Sequence, residues 1–148
     1  MKNDDKLAAG WLHKAENDLH AIAILVAGGG PGDAICFHAQ QAVEKALKSI
    51  LAFAGKEIPR SHDLDYLHRL VQLAHPSLEV EVDDLEVLAP YSVQVRYDLE
   101  FLPETQRALE AQSIAVRILT IVTKAIVGSA PPDGRSEDDG TVAYPNAE

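Results

Sequence analysis

Of the side chains that could bind or move a phosphate, those of Arg96, Tyr97, His62, Lys45 and Lys48 stand in the most informative pattern. A guanidinium holds a phosphate or carboxylate through two parallel N–H bonds. A phenol offers a stacking face and a hydroxyl, an imidazole exchanges its proton near neutral pH, and lysine ammonium groups add charge. The two lysines belong to the run Ala39-Gln40-Gln41-Ala42-Val43-Glu44-Lys45-Ala46-Leu47-Lys48, whose apolar members repeat at helical spacing. His38, Gln41 and Glu44 make a second polar row on that helix, with groups that could hydrogen-bond a base edge or ribose, or cross a helix or dimer interface.

Each of these residues also has a plainer structural reading. Arg96 could tie helices together by pairing with Glu44, and His62 could order a turn through a backbone hydrogen bond. Lys45 and Lys48 could line an exposed helix face in which Glu44 supports Lys48 one turn on. Asp18 is set to pair with a basic group across the fold. Cys36 reads as a packed core residue, since no neighbouring base suggests an activated thiolate. His13, His20 and His38 lack the spacing of a helical metal site, so no metal and no cofactor are expected. The glycines from Gly28 to Gly32 follow a helix and lack the lysine of a phosphate loop, which makes them a turn.

Five helices would position these groups. Leu7/Ala8, Trp11/Leu12, Ala15, Leu19, Ile22 and Val26 draw one stripe from about Asp5 to Ala27. A second helix is predicted over Ala34 to Ala54, capped by Asp33, stopped by Gly55, and buried along Ile35/Cys36, Ala39, Val43, Ala46/Leu47, Ile50 and Ala54. Ser61 or Asp63 caps a third, with Leu64, Leu67, Leu70/Val71 and Ala74 inward, and His75-Pro76 ends it. The fourth starts at Asp83-Asp84 and carries Leu85, Leu88, Ser92, Val95 and Leu99 on one side, with a break near Ala89 and a restart in which Pro90 is the first helical residue. Pro103 opens the fifth, where Ala108, Ala111, Ala115, Ile118, Val122 and Ala125/Ile126 run to Val127. The fold class is all-α, an up-and-down bundle of four or five helices occupying residues 5–127.

The net charge is −10 over 148 residues. Five acids against Arg135 leave −4 on the segment from Gly128 and −6 on the body, which argues against a general duplex-binding surface. That segment, residues 128–148, is rich in Pro, Gly, Ser and Asp and is expected to be a disordered acidic tail. One cysteine rules out an internal disulfide framework and suits a reducing cytoplasm. No apolar run approaches the roughly 20 residues of a membrane span, so no membrane contact is expected.

Taken together, Trp11, Ala15 and Asp18-Leu19, then Phe37-His38-Ala39-Gln40-Gln41-Ala42-Val43-Glu44-Lys45-Ala46-Leu47-Lys48, then His62-Asp63-Leu64 and Arg96-Tyr97, resemble the HEPN family of bacterial and archaeal nucleotide-binding helical domains. The likeness spans about Asp5 to Val127. It implies a homodimer, often paired with a minimal nucleotidyltransferase as in toxin–antitoxin-like two-component systems. It also implies one of three activities: RNA cleavage, binding of a nucleotide or RNA, or service as an adaptor. Cleaving members carry, late in the fold, an arginine followed by four to six residues and a histidine. Here His75 is the last histidine, so Arg96 and Arg107 have none downstream. Arg69 and His75 match the spacing, but six helical residues rotate by about 240° and point their side chains apart. Asp98 stands where the subgroup commonly has proline after Arg-Tyr. The sequence therefore points to a nucleotide-binding or interaction domain rather than an enzyme. An endoribonuclease with a composite dimer site, using His62, and a purely structural dimerisation module are the alternatives. The small-residue stripe Ala108, Ala111 and Ala115 is the expected place of close helix approach in a dimer.

Overall fold

The computed structural model describes residues 3–128, and the tail expected beyond Gly128 lies outside them. Those residues form six α-helices: α1 (Asn3–Ala27), α2 (Gly32–Phe53), α3 (Leu64–Ala74), α4 (Val82–Leu88), α5 (Tyr91–Tyr97) and α6 (Thr105–Val127). The fold is all-helical, as expected. The break foreseen near Ala89 divides the fourth predicted helix into α4 and α5, with Pro90 as the N-cap of α5 rather than its first residue.

Helix α2 is the axis of the molecule. It packs against α1 and α6 along its length and meets α3, α4 and α5. Accordingly it buries residues on almost every side, Cys36, Ala39, Val43, Leu47 and Ile50 among them. Its start lies two residues earlier than predicted. Pro31, whose φ is fixed at −67°, occupies the cap position, while Asp33 falls inside the first turn. Glycine is required at position 32, because a Cβ there would come within 2.9 Å of the Pro103 carbonyl oxygen. At the other end Gly55 takes φ +71° and closes the helix with Gly55 N–H to Ala52 O and Lys56 N–H to Leu51 O, both 2.9 Å.

Asp63 caps α3 as expected, its carboxylate accepting from Asp65 N at 3.0 Å and Tyr66 N at 3.2 Å. This fixes the turn that carries His62. Helix α5 is held by Tyr91, which is fully buried and stacks on Phe101 at 5.5 Å. The Arg107 Nε donates to the Tyr91 hydroxyl at 2.8 Å, and its guanidinium covers both rings. Leu99, expected inward, is instead 92% exposed. The cause is Asp98, whose side chain accepts from Glu100 N at 3.0 Å and turns the chain, so that Phe101 enters the core in place of Leu99.

A second correction concerns α6. Ala108, Ala111 and Ala115 do allow close helix approach, but they are buried inside this chain, on the α6 face that packs onto α2. No helix among the described residues is long and apolar enough to cross a membrane.

Candidate functional site

Glu44 is the centre of the first polar cluster on α2. Its carboxylate is buried, and it accepts from Lys48 Nζ at 3.0 Å and from His62 Nδ1 at 3.1 Å to each oxygen. Gln40 adds an amide contact to Glu44 at 3.3 Å and a bond to the His62 carbonyl oxygen at 3.2 Å. Gln41 donates to Gln40 at 2.8 Å and reaches Glu44 at 3.5 Å. Lys48 is buried as well, and its ammonium lies 5.4 Å from the centre of the Trp11 ring. A buried charge is tolerated only when paired and hydrogen-bonded, and this cluster meets both conditions.

Asp18 repeats the arrangement across the α1–α2 contact. It accepts from His38 Nδ1 and from Lys45 Nζ, each at 2.8 Å. In both clusters one carboxylate therefore holds one imidazole and one ammonium. A carboxylate accepts only, so each imidazole carries a proton on Nδ1 toward it and turns Nε2 away. His62 is largely exposed, and its Nε2 is the atom a solvent-borne ligand would meet.

Arg96 and Tyr97 sit at the end of α5. The Arg96 guanidinium lies over the Phe37 ring, 5.2 Å from its centre, and makes no ion pair with any described residue. Tyr97 is 73% exposed. Phe37 in turn meets His38 edge-on at 5.8 Å. Seven residues of helical rise place Phe37 about 10 Å along α2 from Glu44. Arg96 thus stands at one end of this stretch and His62 opposite its other end, with Gln41 between them on α2.

The geometry sorts the sequence-selected residues into two groups. Lys45 and Lys48 have their charges matched by Asp18 and Glu44, so they hold carboxylates in place. Lys48 takes the predicted i, i+4 pairing with Glu44, but in the interior rather than on an exposed face. Arg96 does not pair with Glu44, which is occupied by Lys48 and His62. The two lysines and two carboxylates cancel in charge, whereas Arg96 has no ion-pair partner among the described residues. Arg69 pairs with Asp65 at 3.3 Å, and His75 meets Ser77 at 3.4 Å, so the two share no site. Cys36 is fully buried, and burial pushes its thiol up to about 11, which makes it inert. Among the described residues no group of three or more His, Cys, Asp or Glu could hold a metal.

Two participants escaped the sequence reading. Gln40 is fully buried and links Glu44 to the His62 turn; its signal was its position one turn before Glu44 on the same face. Phe37, the platform under Arg96, had no local signal, since the contact depends on how α5 folds back onto α2.

Comparison with known proteins agrees with this architecture. The family model described as the HEPN domain matches residues 8–126, and the chain belongs to that family. The crystal structure of an archaeal HEPN homologue is similar at 27% identity, with a TM-score of 0.57, covering 85% of this chain and 99% of that one. No curated protein matches.

Proposed function

We propose that this HEPN domain binds the phosphate of a nucleotide or of RNA on the α2 face between Arg96 and His62. It does so as a homodimer, in a two-component system with a minimal nucleotidyltransferase, and has no strong nuclease activity of its own. The observation that carries the reading is the Arg96 guanidinium, which lies on Phe37 and pairs with no carboxylate of the described residues. In this scheme Arg96 holds the phosphate through paired N–H bonds, Tyr97 stacks on a base or donates its hydroxyl, and His62 meets the ligand through Nε2. Lys45 and Lys48 support the face indirectly by fixing the carboxylates that orient His38 and His62. The single buried thiol suits a cytoplasmic setting.

Calorimetric titration with nucleoside triphosphates tests this. Arg96→Ala should weaken binding about tenfold or more, the size expected for losing charge-assisted hydrogen bonds, and leave stability unchanged because the side chain is exposed. Equal affinity in the two proteins would remove Arg96 from the site.

One observation favours a second reading, a toxin-like endoribonuclease with a composite dimer site. Glu44 anchors His62 through Nδ1, the arrangement that prepares Nε2 for proton transfer. That activity would leave RNA fragments ending in a 2′,3′-cyclic phosphate. Single-stranded RNA left intact by the purified protein would rule it out.

A further inference from the structure

Helix α6 has two faces, and the outward one is patterned. With Ala108, Ala111, Ala115, Ile118 and Val122 turned into the chain, the opposite side carries Leu109, Ser113, Val116, Thr120, Thr123 and Val127. Their spacing is four, three, four, three and four, the repeat of a two-helix seam. Leu109, Val116 and Val127 remain 41%, 46% and 42% exposed. The Thr120 hydroxyl donates back to the Val116 carbonyl oxygen at 2.8 Å, so covering it strands no donor. Beside this seam runs a groove of about 280 Å³ between α6 and α1, lined by Leu19, Leu119 and Thr123, with Glu16 and Lys124 at its polar margins.

We propose that this face is where a second copy of the chain docks, α6 against α6 and antiparallel, about a two-fold axis at Val116–Arg117. The inference rests on the homodimer reading above and names its interface. Charge selects the direction. Glu110, Arg117 and Lys124 follow one another at seven-residue intervals along one flank, and in an antiparallel pair such flanking positions meet their own row. Glu110 then faces Lys124 of the other copy at both ends. Neither residue makes an ion pair with any described residue of its own chain. At the axis like charges would meet, but each Arg117 is already tied to Asp84 by bonds of 3.0 and 3.1 Å. A parallel pair would set this row against Gln112, Leu119 and Ile126 and gain no such match.

The same symmetry fits shapes as well as charges. Leu109, the bulkiest member of the seam, comes to lie beside Thr123 of the other copy, at the mouth of the α1–α6 groove. Ser113 meets Thr120, and Val116 meets itself on the axis. The seam spans about 27 Å of helix from Leu109 to Val127. Leu19, only partly buried, widens the contact on one side, in the direction of the 1,200 Å² or so that a specific interface needs.

The test combines sedimentation with a cysteine placed on the axis, in the full chain. Cys36 is buried, so Val116→Cys supplies the reactive thiol. The expected result is a wild-type dimer at micromolar concentration and rapid disulfide linkage of Val116→Cys. Val93→Cys, exposed on α5, should stay unlinked under the same oxidant. Lys124→Glu should raise the dimer dissociation constant about tenfold, and adding Glu110→Lys should restore it. Circular dichroism confirms that each variant is folded. A wild-type dimer whose Val116→Cys form stays unlinked, or whose charge swap fails to restore association, overturns this interface and leaves the homodimer reading standing. A monomeric wild type at tens of micromolar overturns both.

Discussion

Glu44 and Asp18 organise clusters of the same composition, yet the two regions differ in how far water reaches them. Glu44, Lys48 and Gln40 are all in the interior, Gln41 is half-buried, and His62 extends outward. Asp18 is buried too, but His38 and Lys45 keep 32% and 25% of their side chains in solvent. A carboxylate whose partners can rehydrate loses less when a bond is broken. The same carboxylate–histidine–lysine unit is therefore a structural pillar in one place and an adjustable tie between helices in the other.

The sharpest way to break this comparison is Glu44→Gln. The amide keeps the shape of the side chain but strands the Lys48 ammonium in an apolar setting. The expected loss is about 3 kcal/mol of unfolding free energy, the usual cost of breaking one side of a buried pair. Urea denaturation reads it directly. A loss under 1 kcal/mol would mean that Lys48 escapes to water and that the pillar is not one. Asp18→Asn should cost about 1 kcal/mol, because His38 and Lys45 turn to solvent when released. If Asp18→Asn proves as damaging as Glu44→Gln, burial of the partners is not what separates the two clusters.

Much of this arrangement was legible in the sequence, and the illegible part has a common cause. The stripes of α1, α2, α3 and α6, the Asp63 cap, the Gly55 stop and the break before Pro90 follow from local rules of periodicity, capping and backbone geometry. The i, i+4 pair Glu44–Lys48 was visible for the same reason. What failed was long-range or two-sided. Leu99 fitted a helical stripe, but Asp98 ended the helix first. The alanines of α6 were rightly recognised as a close-approach surface and wrongly aimed, because a stripe shows which side is covered and not by what. The stacking of Arg96 on Phe37 joins residues 59 positions apart and follows from no local rule.

Glu16 completes the comparison as a carboxylate on α1 without the partners that Asp18 has. Burial beside the α1–α6 groove pushes it from the ordinary value of 4.5 up to about 7. Between those values the folded chain holds a proton that the unfolded chain has released. Protonated Glu16 thus adds stability that is fully present below about pH 4.5 and is lost as the pH rises through about 7. The group is only half buried, so solvent screening reduces the effect to roughly 1 kcal/mol. Glu16→Gln carries no ionisable group and should remove this part of the slope, making the variant more stable than wild type at pH 8 and about equal at pH 5. Denaturation at both pH values, at one protein concentration, checks it. Parallel slopes in the two proteins would show that water or Lys124 already compensates the charge, so that a carboxylate on this side of α1 needs no built-in partner.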